Sequence, residues 1–357
     1  MSESRHLHPG VANAIAAAVL FGASVPLAKI LAGAIAPLLL AGLLYLGSGA
    51  GLLVLYLLRR LLFTKSAGHT SGIARTDIAW FASAIISGGI VAPALLMTGL
   101  RVANASTASL LLNLEGAFTA LLAWFVFKEN FDRRIALGML AIVFAGVLLA
   151  WPQTGLPRGA VLGSLAIVGA CLAWAIDNNL TRRISGGDPL LIAGTKGSVA
   201  GAVNVCIGLL TGGVLPRAAG ILHAASIGVV GYGLSLALYV MALRQIGAAR
   251  TAAYFSLAPF LGAVVAIALL HEHPGALFWL AAALMAAGIW LHVSERHEHH
   301  HYHAALVHSH SHAHNEHHHH DHDFSWSGNE PHNHLHEHTP LWHSHHHYPD
   351  IHHRHRH

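Results

Sequence analysis

Four ionisable residues stand inside long apolar stretches of this chain: Lys29, Glu115, Asp177 and Lys196. A charge at the centre of a hydrocarbon layer costs about 2.5–3.5 kcal/mol or more on insertion scales, so each needs a partner or a wet space. Glu115 lies in Asn113-Leu114-Glu115-Gly116, where the glycine weakens the local ladder and leaves the carboxylate to face other helices. Asp177 lies in Trp174-Ala175-Ile176-Asp177-Asn178-Asn179, with Trp174 and Thr181 on its face at i−3 and i+4. Three consecutive carboxylate or amide side chains cannot all face lipid. Either the patch lines a cavity, or it ties down a helix end before Arg182. Lys196, in Gly194-Thr195-Lys196-Gly197, is spaced to neutralise Asp177 across a short connector, as a fixed lock or as a pair that opens to a proton or substrate. Snorkelling near a helix end accounts for Lys29 better than a central role. Tyr232, Ser235 and Tyr239 recur at i, i+3 and i+7, a stripe for which packing is the commoner reading and a binding wall the rarer one.

A second chemistry lies at the far end. Seven of the 33 histidines precede residue 297, which leaves 26 between His297 and His357, interleaved with Glu, Asp, Ser and Asn. Neutral imidazoles on an extended chain ligate Zn, Ni, Co or Cu with little selectivity. The densest runs are His308, His310, His312 and His314; His317, His318, His319 and His320; and His343, His345, His346 and His347. No core forms from such a composition, so a disordered tail is expected, binding metal or acting as a polyelectrolyte that charges as pH falls. Within the apolar stretches no HxxxH or HxxxD spacing occurs, and His223, His271, His273 and His292 fall near helix ends. Nor is there an intramembrane HExxH, a pair of catalytic carboxylates or a Ser-Lys dyad, so no enzyme is expected and no cofactor is required.

The elements that must position these groups follow from composition. The chain has 357 residues, of which 54% are hydrophobic and 10% charged, too few charges to clothe a soluble surface. A bilayer core about 30 Å thick takes about 20 apolar residues per helix. Ten windows fit, near 11–31, 36–58, 76–98, 104–127, 134–151, 159–182, 189–212, 221–243, 248–270 and 274–293. The first is read as an uncleaved helix rather than a signal peptide, since only Arg5 is basic before it. With the amino terminus inside, the inner loops hold most of the Lys and Arg, among them Arg59, Arg60, Lys128, Arg133, Arg134, Arg182 and Arg183. The outer loops hold Arg101, Arg158 and Arg217, so both termini are expected in the cytoplasm. Scattered basic residues of this kind suit membrane loops and no nucleic-acid partner. Cys171 and Cys206 lie in apolar stretches without CxxC spacing, so no disulfide or thiolate site is encoded.

An internal repeat is also legible. Leu100-Arg101 through Leu114, then Lys128-Glu129, align without a gap on Leu243-Arg244 through Leu257, then His271-Glu272, every residue at the same offset from its counterpart. Each half holds five helices, an odd number, so the second is expected to insert inverted, a common basis for alternating access. The carrying segments are Ala105-Ser106-Thr107-Ala108-Ser109-Leu110-Leu111 with Leu114-Glu115-Gly116, Leu121-Leu122-Ala123-Trp124, Lys128-Glu129, Gly138 and Ala145-Gly146-Val147. Their partners are Ala248 to Ala253, Leu257-Ala258-Pro259, His271-Glu272 and Ala287-Gly288. With these residues the chain resembles the EamA-type transporters of the drug/metabolite transporter superfamily, over about 11–293 and in two copies. The resemblance implies ten helices in two inverted five-helix halves that export metabolites, amino acids or drugs by secondary transport. Where the family has Pro after the Glu of its fourth helix this chain has Gly116, and Ala258 stands where a second Glu would be.

The expected protein is therefore an all-α membrane protein of ten transmembrane helices, multi-pass in a bacterial-type inner membrane. Its parts are a first repeat at 1–151, a second at 152–293 and a His-rich tail at 294–357. It would export a small molecule, with proton coupling; divalent-metal efflux fed by the tail, and a membrane-anchored metal sensor or store, are the alternatives. Its partners are the bilayer, a small-molecule substrate and metal ions, with a homodimer left open. A chain ending at Ser294 should reach the membrane in the same amount as the full protein but lose retention on immobilised Ni, which a paired binding assay checks.

Overall fold

The computed structural model describes residues 9–62, 77–127, 133–151, 158–181, 188–246, 248–293, 298–303, 306–312, 332–338 and 341–346. Up to Ser294 the chain is one compact unit and is entirely helical among the described residues. Its helices are α1 (Pro9–Ala32), α2 (Pro37–Leu62), α3 (Ile78–Val102), α4 (105–127), α5 (Arg133–Ala150), α6 (Arg158–Thr181), α7 (Pro189–Leu210), α8 (218–246), α9 (248–270) and α10 (Ala276–Val293). Nine of these are long and apolar enough to cross a bilayer, and the apolar stretch Ala276–Leu291 of α10 is a shorter tenth. The ten windows expected from hydropathy fall on them within a few residues.

Four of the helices are irregular. A π turn, Ile85–Val91, interrupts α3, and a second, Gly228–Leu234, interrupts α8. The offset that aligns the two sequence repeats carries the first π turn onto the second at both ends. α4 breaks at Leu112 into Ala105–Leu111 and Asn113–Phe127, and α9 breaks at 256–257 into Ala248–Phe255 and Ala258–Leu270. The same offset carries the start of α4 onto the start of α9. The packing obeys the same exchange: α3 lies on α6 as α8 lies on α1, and α4 lies on α6 as α9 lies on α1. The pairs α2–α7, α5–α10 and α4–α9 map onto themselves.

The most extensive of these contacts, α2 on α7, is a seam of small residues. Gly49 abuts the backbone of Gly197 and Ser198, and Gly42 abuts Gly201 and Val205. Missing side chains let the two backbones touch, which replaces the hydrophobic drive that is absent between helices in lipid. One carboxylate joins the ends of the pair. Asp188 caps α7 by accepting from Leu190 N at 2.9 Å, and its other oxygen pairs with Arg59 near the end of α2. Gly47 packs on Ala225 of α8, whereas Gly212 ends α7 with φ of +86° and open space beside it.

The tail is a separate unit, Glu295–His357. Its described stretches are strands: β1 (Glu298–His303) pairs antiparallel with β4 (Leu341–His346), and β2 (Leu306–His312) with β3 (His332–His338). The His-x-His alternation of these stretches has the period of two that a ladder accepts.

In the seam, Gly49→Leu should lower the thermal unfolding temperature in detergent, since overpacking costs about 1–3 kcal/mol. Gly33→Ala, where an added Cβ meets nothing within 4 Å, should leave it unchanged.

Candidate functional site

The site starts from a proline. Pro93 has no N–H, so the carbonyls that it would serve in an α or π ladder, Gly89 at i−4 and Gly88 at i−5, lose their donor inside an apolar bundle. Side chains from three other helices fill the gap. Tyr45 of α2 donates its hydroxyl to Gly88 O at 3.1 Å, and Trp174 of α6 shares its indole N–H between Gly88 O at 2.9 Å and the Tyr45 hydroxyl at 3.2 Å. Asn204 of α7 donates to Gly89 O at 3.0 Å, while its own side-chain oxygen is buried without a partner. Ser87 returns a bond to Ala173 O of α6 at 2.7 Å. Together these bonds fix the rotation of α6 against α3.

That rotation sets the ionisable groups. Asp177, one turn beyond Trp174, is buried against Gly88 so closely that no Cβ would fit there. Its carboxylate pairs with Lys196 of α7 and accepts from Thr181 at 2.9 Å. Asn178 is exposed and donates to the Glu115 carboxylate of α4 at 2.9 Å and to Thr119 at 3.4 Å. Asn179 is buried and donates to Ala175 O and Thr119 O. Each of the three adjacent polar side chains thus has hydrogen-bond partners, Asp177 toward α7 and the two asparagines toward Thr119 of α4. Glu115 lies within electrostatic reach of both Asp177 and Lys196, and Tyr45 and Tyr239 lie within reach of Glu115.

Aromatic rings continue the line on the far side. Tyr45 and Tyr232 have centroids 6.0 Å apart, Tyr232 meets Phe21 edge-on at 5.8 Å, Phe21 meets Phe255 at 5.5 Å, and Phe255 meets Tyr239 at 4.9 Å. Tyr232 and Tyr239 therefore converge on one ring cluster, whereas Ser235 turns away and donates to Ala17 O of α1 at 2.8 Å. α4 and α9 meet over one segment beside these two groups. Ala105–Leu111 packs on Ala258–Leu270, with Ser109 against Gly262. Among the described residues Asn113–Phe127 has no comparable contact with either segment of α9. Gly116, beside Glu115, is exposed and faces open space.

Of the residues expected from sequence, Glu115, Trp174, Asp177, Asn178 and Lys196 come together, with Tyr232 and Tyr239 across from them. Asn113 does not join them: it is buried and donates to Leu110 O at 3.0 Å and to Met285 Sδ of α10 at 3.6 Å. Lys29 is at a helix end and donates to Leu100 O at 2.6 Å and Ala103 O at 2.9 Å. Tyr45, Thr119 and Asn204 escaped sequence reasoning; the one local signal was Pro93 after two glycines, which marks orphaned carbonyls without naming their partners. His308, His310 and His312 lie on β2 and His343, His345 and His346 on β4, while His314, His317, His318, His319, His320 and His347 lie outside the described residues. Among the described residues no group of three or more His, Cys, Asp or Glu gathers that could hold a metal ion.

Comparison with known proteins gives the family and the fold. An uncharacterized transporter of Methanothermobacter thermautotrophicus is 28% identical over 301 residues, 79% of this chain and 85% of its own length. The uncharacterized transporter YyaM of Bacillus subtilis is 27% identical over 244 residues, 62% of this chain and 78% of its own. A solved crystal structure superposes with a TM-score of 0.57 at 19% identity, covering 79% of this chain and 96% of that one, and so shares the fold. The EamA-like transporter family matches twice, at 8–151 and at 161–294. Described by its two family matches and by its transporter relatives, this multi-pass chain belongs to the EamA-like transporter family.

Proposed function

We propose that the protein is a proton-coupled secondary carrier that exports a small organic metabolite across the inner membrane, both termini in the cytoplasm, through the space between Glu115 and the aromatic cluster. The observation that carries this reading is the pairing pattern of the ionisable groups. Asp177 is compensated by Lys196, but the Glu115 carboxylate is held by a neutral amide, Asn178. A carboxylate so placed can exchange its charge for a proton without breaking an ion pair, and a substrate reaching Asn178 or Thr119 competes for the same hydrogen bonds. Symmetric helices around an asymmetric site supply the two arrangements that alternating access needs. The two repeats are read as 1–151 and 152–293, and the tail as a cytoplasmic ligand for transition metals. Metal as the cargo is the second reading, favoured by the 26 histidines after residue 296.

Two experiments test this. In liposomes with an imposed pH gradient, a screen of amino acids, nucleosides and metals should find an organic solute moved by wild type. Glu115→Gln should then slow gradient-driven flux by about tenfold or more while leaving solute exchange at equal pH, the loss expected for one essential proton-transfer group. Flux of Ni, Co or Zn alone would instead establish metal export and end the metabolite reading. Asp177→Asn and Lys196→Met should each lower thermal stability, because a single change leaves a buried charge unpaired at about 3–5 kcal/mol, and the double variant should recover most of it. Recovered stability without recovered flux would make the pair a working part; recovery of both would make it a lock.

A further inference from the structure

The end of the bundle where α4 meets α9 is held by charges that the proposed site does not use. The first turn of α4 has orphan N–H groups, and the residue before it, Asn104, is of the type that caps helices but makes no side-chain cap bond. The cap comes from elsewhere in the chain. Glu272, just past the end of α9, accepts from Ala105 N at 2.7 Å and from Ser106 N at 2.9 Å. It gets there because α9 ends at His271 in the left-handed region, φ 51° and ψ 39°, the one non-glycine residue with positive φ among the described residues. At the same end Lys29 of α1 takes Leu100 O in the last turn of α3 and Ala103 O just past it, and lies within electrostatic reach of Glu272. Each charge thus sits at the helix end that its sign favours, the carboxylate on N–H groups and the ammonium on C=O groups.

We propose that Glu272 and Lys29 form a gate latch, which closes the Lys29 face of the carrier and is released when that face opens. The reading rests on the carrier function proposed above. Below the latch Ser109 and Gly262 hold α4 and α9 in contact, and beyond them the two helices separate. Ten residues of α4 at about 1.5 Å each put Glu115 about 15 Å from the latch. Among the described residues, α4 and α9 are therefore joined at the Lys29 face and make no comparable contact toward the face where α4 ends. A cap supplied by another helix is a tie that rocking can break and remake, whereas a cap from Asn104 would move with α4 and hold nothing.

Cysteine accessibility reads this without any substrate, so failure of the transport proposal does not decide it. In a background with Cys171→Ala and Cys206→Ala, Ser109→Cys reports the closed contact, since the Ser109 hydroxyl is buried and has no hydrogen-bond partner to lose. Gly116→Cys reports the open side. With an impermeant maleimide, Glu272→Ala, which removes two charge-assisted hydrogen bonds, should speed labelling of Ser109→Cys from the Lys29 face by about tenfold or more and slow labelling of Gly116→Cys from the other face. Lys29→Met should move both rates in the same directions, which keeps the test open should Glu272→Ala fold poorly. Unchanged rates would overturn the latch, as would both rates rising together, the mark of a loosened bundle.

Discussion

In a hydrocarbon layer a backbone carbonyl has no solvent to fall back on, and the arrangement of this site descends from two such carbonyls. Pro93 withholds the N–H that Gly88 and Gly89 need, and Tyr45, Trp174 and Asn204 supply it from α2, α6 and α7. Four helices are thereby held around one π turn. Because Trp174 is pinned at Gly88, Asp177 one turn on must face Lys196, and Asn178 must face α4. The equivalent π turn of α8 has Leu236 where α3 has Pro93, so its ladder keeps its donor.

Around this pinned region the bundle divides its labour. The glycine seam of α2 and α7, clasped by Arg59 and Asp188, is a close-packed pillar with little freedom to slide. α4 and α9 are the opposite case, each broken in the middle and, among the described residues, packed together chiefly over one segment. Breaks at Leu112 and at 256–257 supply flexure where rigid rods would have to pivot whole.

Much of this was legible in the sequence because it rests on periodicities. Apolar windows of fixed length located the helices, and the constant offset between the repeats proved to hold for backbone irregularities that no one would read from hydropathy. The Asp177–Lys196 pair followed from a short connector that leaves little choice of neighbour. What escaped depended on rotation. Asn113 lies one residue past the break at Leu112, so its direction does not follow from an ideal helix through Glu115, and it meets Met285 instead. Tyr232 sits in a π turn, which disturbs the i, i+3, i+7 stripe and sends Ser235 to α1. Tyr45 was unremarkable in sequence because its role is to answer a deficiency on another helix. Glu272 was visible only as half of an aligned basic-acidic pair, and the cap it provides lies 167 residues away.

The repeat is faithful in backbone and unfaithful in chemistry. Carried from one half to the other at the repeat's own offset, Glu115 becomes Ala258, Asp177 becomes Ala34 and Lys196 becomes Leu53. A duplicated scaffold whose two copies carried the same side chains would have two end states of equal energy. Here each of these three charges has an alanine or leucine as its image, so the degeneracy is lifted and the two orientations of the empty scaffold differ in energy.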